Sequence, residues 1–293
     1  MKKKILIIFL LLLFSFSLKA NASSVLIEEK RFELLKQIEF LQKEVQRLML
    51  LISKYNIEKE ISAHSYIVMD ISNNSIILGK NTDKLYPIAS VTKLMNAVIT
   101  IENINTTKTI TLTEKMLKPL GYSPSLFLGL NIDVKNLLKA SLIQSTNDAA
   151  EALTYFLEEG KFLELMNKKA EELGMDNTKF YDSHGLNPLN RSTSKDLVKL
   201  LLYIHKNHPE ILEIGKDDNF WLPDNTGRML KFKNVNNFYN IPEFIGGKTG
   251  YLPEAKQTLA SLFDVKEKPI AIVLLYSENR QTDTLKILNW LKK

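Results

Sequence analysis

What most limits the fold of this 293-residue chain is strand-like sequence at both ends of one long segment, with helix-like sequence between them. "SYIVMDI" and "SIILGK" are β-rich runs flanking Ser72-Asn73-Asn74, which reads as a hairpin. A helical apolar pattern follows Pro87 in "LYPIASVTKLMNAVITIEN". From Val134 to about His208 the sequence is mostly helical, broken near Gly160, Gly174 and "HGLNP". Strand character returns in "GRMLKFKNV", "TLASLFDV" and "PIAIVLLYS", and "TDTLKILNWLKK" closes the chain as an amphipathic helix. First and last strands bracketing helices predict an α/β (α+β) domain over 61–293, built on an antiparallel sheet. The closing helix is expected to pack on that sheet rather than on a membrane.

Two shorter segments precede this domain. Residues 1–22 read as an export signal: "MKKK", an apolar run of about fourteen residues, and the small-x-small pattern Ala20-Asn21-Ala22. Cleavage after Ala22 is the expectation, with an uncleaved anchor as the alternative; either way the rest of the chain is exported. Residues 24–60 carry Ile27, Leu34, Ile38, Leu41, Val45, Leu48, Ile52 and Tyr55 in alternating steps of mainly four and three. That is a coiled-coil seam of about four heptads, interrupted only by Arg31, and a homo-oligomer through it is the expected partner. A helix packed on the following domain is the alternative, kept alive by Leu35, Phe40, Leu50 and Leu51.

Charge and composition narrow the chemistry. The formal charge of +6 includes Lys2, Lys3, Lys4 and Lys19 in the leading segment. The remainder is near +2, too little for a nucleic-acid-binding face. The chain has no cysteine, which excludes disulfides, a thiol nucleophile, thiolate metal sites and lipidation of an N-terminal Cys. His205 and His208 have no evident third ligand, so no metal or cofactor is expected.

Ser-x-x-Lys occurs twice, at Ser90/Lys93 and Ser192/Lys195. About one or two copies arise by chance in a chain this long, so the spacing alone chooses neither. On a helix, residues three apart share a face, so hydroxyl and amine can meet. A lysine amine becomes a usable base only when burial or another cation lowers its pKa from about 10.4. Two later stretches favour Ser90. "QSTNDAAEAL" carries Ser145-Thr146-Asn147, and "GGKTGYL" carries Lys248-Thr249-Gly250 among glycines that permit close backbone approach. Ser-x-x-Lys, Ser-x-Asn and Lys-Thr-Gly in this order match the motif set of penicillin-binding proteins and class A β-lactamases.

From about Ser62 onward the chain resembles the D-alanyl-D-alanine carboxypeptidase family of low-molecular-weight penicillin-binding proteins. "LLKASLIQSTNDAAEAL", "MNKKAEELGMDNTKFYDSHGLN", "STSKDLVKL" and "GGKTGYLPEAKQTLAS" each resemble a family stretch, in the family's order. The resemblance implies a β-lactamase/transpeptidase-like fold: a five-stranded antiparallel sheet flanked by helices, with a mainly helical subdomain. It also implies that "STSKDLVKL" opens a helix, with Ser192, Thr193 or Ser194 as cap and Asp196 in the first turn. His184, in "DSHGLN", falls in a segment that the family keeps for structure.

The roles below are what the resemblance implies. Ser90 attacks the carbonyl between two D-alanines of a peptidoglycan stem peptide, and Lys93 takes its proton. Ser145 bridges toward Lys248 and passes the proton to the leaving group. Asn147 holds a substrate amide. Lys248 adds positive potential and depresses the pKa of Lys93. Thr249 binds the terminal carboxylate beside Gly250. The N–H groups of Ser90 and Tyr251 form the oxyanion hole. Lys233 is the basic residue expected to assist from upstream. β-Lactams are the expected inhibitors. A DD-carboxypeptidase is the leading reading, and a DD-endopeptidase using the same residues is the alternative. A non-catalytic wall-binding module fits the intact motifs poorly, and a β-lactamase lacks an evident Glu to drive deacylation.

Overall fold

The computed structural model describes residues 2–119 and 126–293, with side chains described from residue 26 onward. The export-signal reading of 1–22 therefore falls on residues whose side chains lie outside those described. Two compact units are present, 1–56 and 57–293. The first lies within one continuous helix, α1 (Lys2–Glu60). Its apolar side chains from Leu34 to Ile52 at the heptad positions are 47–61% exposed. The outer side carries ion pairs such as Lys43–Glu39 at 2.7 Å.

The second unit begins with β1 (Ser65–Asp70), β2 (Ser75–Lys80) and the short β3 (Tyr86–Pro87). Next come α2 (Thr92–Asn103), the pair β4 (Thr109–Thr111) and β5 (Asn131–Asp133), α3 (Val134–Ile143), α4 (Asn147–Thr154) and α5 (Lys161–Glu172). β6 (Arg191–Ser192), α6 (Ser194–Asn207), α7 (Pro209–Ile214) and the hairpin β7 (Asn219–Pro223) to β8 (Met229–Lys233) follow. The chain ends with β9 (Phe244–Leu252), β10 (Lys256–Asp264), β11 (Pro269–Ser277) and α8 (Arg280–Lys292). One five-stranded sheet has the order β2-β1-β11-β10-β9, with every pair antiparallel. The first strands lie beside the last ones, as the bracketing pattern requires. "GRMLKFKNV" does form a strand, but it pairs with β7 away from the main sheet.

Burial on both faces explains why β11 reads as an unbroken apolar run rather than an alternation. Ala271, Val273 and Leu275 enter a large cluster with the helices α2, α3 and α6. Ile270, Ile272 and Leu274 enter a second cluster with Ile57, Ile61, Ile287 and Leu288. α8 is thus held on the sheet by Ile287 and Leu288, as its amphipathic pattern predicts. α2 lies deepest: every residue from Thr92 to Thr100 is buried, the polar ones included. A helix buried on all sides must satisfy its polar side chains internally.

The β10–β11 hairpin turns through Lys266 and Glu267, both left-handed at φ 54° and 61°. Val265 and Lys268 exchange both backbone hydrogen bonds across it, at 2.9 and 3.2 Å. Such a two-residue loop favours Asn-Gly, because other side chains strain at positive φ. Replacing Lys266→Asn together with Glu267→Gly should stabilise the domain by about 1 kcal/mol. A thermal melt should rise by about 2–4 °C; an unchanged or lower midpoint would refute the turn assignment.

Candidate active site

Ser90 stands in a single 3₁₀ turn, Ala89–Val91, that runs directly into α2. Ala89, immediately before it, is left-handed at φ 49° although it carries a Cβ. Strain of this kind persists only where the surroundings enforce it. Here they do. The Ile88 N–H donates to the Asn190 carbonyl at 3.0 Å, and the Ile88 carbonyl accepts from Thr258 Oγ1 at 3.0 Å. Two glycines complete the enclosure. A Cβ on Gly185 would lie 2.0 Å from the Ala89 carbonyl oxygen, and one on Gly250 would lie 2.8 Å from the Ser90 nitrogen. Gly246 and Gly247 instead press against Leu212 and Ser261.

Lys93, one turn along, is fully buried. Its Nζ reaches Ser90 Oγ at 3.1 Å, Asn147 Oδ1 at 2.7 Å and the His184 carbonyl oxygen at 2.6 Å. Burial lowers its pKa to about 7, against an opposing pull from the Asp182 carboxylate. The amine is therefore substantially neutral near pH 7 while held against a hydroxyl, the state a proton acceptor needs.

Each partner is positioned by a recognisable local device. Asn147 opens α4 two residues after Ser145, which is left-handed at φ 60° and turns the chain between α3 and α4. The loop carrying His184 is folded around Asp182. That carboxylate accepts from the N–H groups of His184, Gly185 and Asn187 and from Asn190 Nδ2, at 2.6–3.1 Å. Asn96, on the same face of α2 as Lys93, repeats the clamp one turn deeper. Its Nδ2 donates to the Ala150 carbonyl at 3.0 Å and the Ser183 carbonyl at 3.2 Å.

Lys248 is buried on the edge strand β9, and its Nζ donates to the Thr249 carbonyl at 2.8 Å. Burial first, then Lys93 and Arg280, push its pKa well below the ordinary lysine value. Burial is the leading cause of the lowered pKa at both lysines, and the repulsion between the two ammonium groups adds to it. Thr249 is buried beside it, and Tyr251 projects at the strand's end with its side chain 64% exposed. Among the described residues, neither Lys93 nor Lys248 is hydrogen-bonded to Ser145. Lys233 is exposed at the end of β8, and no hydrogen bond or ion pair among the described residues joins it to this cluster.

Four contributors escape the motif reading: Asn96, the His184 carbonyl, Gly185 and Arg280. Arg280 begins α8 and donates through Nη1 to the Gly250 carbonyl at 3.0 Å. It is half-buried, with its pKa lowered by burial, and has no carboxylate partner among the described residues. Only the β9–β10–β11–α8 path brings it back to Gly250; a lone Arg in "SENRQTD" carries no signal of that return.

The second Ser-x-x-Lys is a helix cap. Thr193 Oγ1 accepts from the Asp196 N–H at 3.0 Å, Ser192 is fully buried against Thr178 at 2.7 Å, and Lys195 pairs with Asp83 at 3.1 Å. His205 is exposed, whereas His208 is half-buried and meets Glu102 at 3.1 Å. Among the described residues no cluster of three or more His, Cys, Asp or Glu is arranged to hold a metal ion. A separate cavity of about 480 Å³, lined by Glu151, Tyr155 and Phe162, contains none of the predicted site residues.

The family model described as D-alanyl-D-alanine carboxypeptidase, peptidase S11, matches residues 52–279. A D-alanyl-D-alanine endopeptidase of Haemophilus influenzae is 35% identical over 203 residues, 67% of this chain and 69% of the relative. D-alanyl-D-alanine carboxypeptidase DacF of Bacillus subtilis is 31% identical over 250 residues, 78% of this chain and 61% of the relative. The solved Streptomyces K15 DD-transpeptidase superposes with a TM-score of 0.72 at 26% identity, covering 79% of this chain and 97% of that one.

Two measurements check the geometry. An NMR titration of the Lys93 side chain should show a midpoint near pH 7, with the unfolded chain titrating near 10.4. Between those values the native state binds fewer protons than the unfolded one, so stability should rise with pH across that window. Lys93→Met should remove part of the rise; a midpoint above pH 9 would contradict the burial argument. Gly250→Ala should push β9 off the Ser90 turn and lower the rate of acylation by β-lactams at least ~100-fold, on the scale of a 1 Å misplacement.

Proposed function

This chain belongs to the D-alanyl-D-alanine carboxypeptidase family, peptidase S11, and we propose that within it the chain is a serine DD-endopeptidase that opens peptidoglycan cross-links. Members of this family are serine DD-peptidases, hydrolases of peptidoglycan peptides that act outside the cytoplasm and bind penicillin. The export signal read at 1–22 fits that location. The observation that carries the catalytic reading is the Lys93 amine, lowered to about 7 by burial and 3.1 Å from Ser90 Oγ.

In this reading Lys93 accepts the Ser90 proton as Oγ adds to the D-alanyl carbonyl carbon. The Ser90 and Tyr251 N–H groups receive the developing oxyanion. Collapse breaks the amide C–N bond, and the leaving amine takes a proton passed through Ser145. Water then cleaves the Ser90 ester and restores the hydroxyl. Asn147, already fixed on Lys93, orients a substrate amide. The Thr249 hydroxyl donates to the carboxylate next to the scissile bond, and the Arg280 guanidinium, held on the Gly250 carbonyl, adds positive charge nearby. A substrate carboxylate beside Lys248 would favour its charged form, against the burial that disfavours it. Lys233 contributes charge from outside the cluster. No step calls on a metal or cofactor.

The endopeptidase reading draws its support from the Haemophilus influenzae relative, at higher identity than the Bacillus carboxypeptidase and with a larger share of its own length matched. The carboxypeptidase reading uses the same residues and is supported by the description of the family model. In both, the leaving group is an amine. It is either free D-alanine or the side-chain amine end of a neighbouring stem.

Fluorescent penicillin should label the native chain and Ser192→Ala but not Ser90→Ala; label on Ser90→Ala would sink the nucleophile assignment. The labelling rate should rise with pH and reach half its maximum near 7, as the neutral Lys93 amine becomes populated. Incubation with a cross-linked dimer and with a pentapeptide monomer separates the two peptidase readings. Faster release of monomers from the dimer is expected, and faster release of free D-alanine would favour the carboxypeptidase.

A further inference from the structure

Unit 1 presents a seam that follows a strict heptad register. Set by the alternating steps, Ile38, Val45 and Ile52 occupy position a, and Leu34, Leu41 and Leu48 occupy position d. All six are 47–61% exposed on α1. β-Branched residues at a with leucine at d favour two parallel strands over three or four. Arg31 falls at a single a position, where a polar residue fixes register and strand number at some cost in stability. We propose that this face is covered by a second copy of the same chain, in a parallel two-stranded coiled coil.

Surface shape and charge agree with that occupant. One hollow on α1 is bordered by Ile38, Leu41, Gln42, Val45 and Gln46, which includes the a-d-e-a residues that receive a d-position knob. Another is bordered by Ile27, Lys30, Arg31, Leu34, Leu35 and Ile38, which includes a d-g-a-d set and runs on along the apolar strip. In a parallel pair, each g residue faces the e residue five positions later on the other strand. The facing pairs are Lys30 with Leu35, Gln37 with Gln42, Glu44 with Met49, and Leu51 with Asn56. None brings like charges together, and Leu35, Met49 and Leu51 widen the apolar strip. The ion pair Lys43–Glu39 joins positions f and b on the outer side of the helix, and Arg47–Glu44 turns the g-position Glu44 toward c, so neither pair crosses the seam.

A chain with no cysteine permits a direct test on the full-length protein in detergent. Leu34→Cys and Leu48→Cys each place one thiol in the seam, at opposite ends, and Lys36→Cys and Lys43→Cys place one on the outer face. Under mild oxidation each seam variant should form a covalent band at twice 33.6 kDa, at least ~10-fold more than either outer variant. An antiparallel pair would join neither seam variant to itself. Equal or weaker cross-linking at Leu34 or Leu48 than on the outer face would overturn the proposal. Native mass spectrometry should give two copies, falling to one in Leu41→Asp/Leu48→Asp, with the thermal unfolding midpoint of the domain over 57–293 retained. Three or more copies, or an unchanged mass in the double variant, would also overturn it.

Discussion

The site depends on a lysine kept where water cannot reach it. Lys93 sits on a helix that is buried on every side, so its amine has no solvent to hold a charge. Its three partners each come from a different part of the chain: Ser90 from its own helix turn, Asn147 from the start of α4, and His184 from the loop folded around Asp182. A buried amine needs these acceptors, and meeting that need draws the three segments to one point. Asn96 repeats the arrangement one turn below, so the same two segments are gripped twice. The interactions that make the amine chemically useful also join the helical subdomain to the core.

Much of this was legible in the chain. β-Rich runs marked the strands, and their position at both ends predicted a shared sheet. The motif order separated Ser90 from Ser192, and the cap reading of "STSK" follows from Thr193 and Asp196. What escaped has a common cause. β8 reads as a strand, but periodicity carries no information about which strand it will pair with, and it left the main sheet. Arg280 and Gly185 matter only through long-range return of the chain, which no local pattern encodes. The His184 contribution comes from a backbone carbonyl, so its residue type gave no hint. The left-handed Ala89 is likewise set by what surrounds it, since alanine has no preference for that region.

Carboxypeptidase and endopeptidase chemistry diverge on the leaving-group side, after the residues that activate Ser90 have done the same task. Family likeness and motif content therefore speak to the machinery more directly than to the bond cut. Arg280 is tied to β9 at Gly250, so any change at that strand's end is felt by both.

Gly185 and Gly250 enclose the turn that carries Ser90 from two sides, with no room for even a methyl group on either. Any side chain added at these two positions would meet the protein's own backbone first. Substitution around the Ser90 turn is therefore confined to the rim, where the Tyr251 side chain is open to solvent.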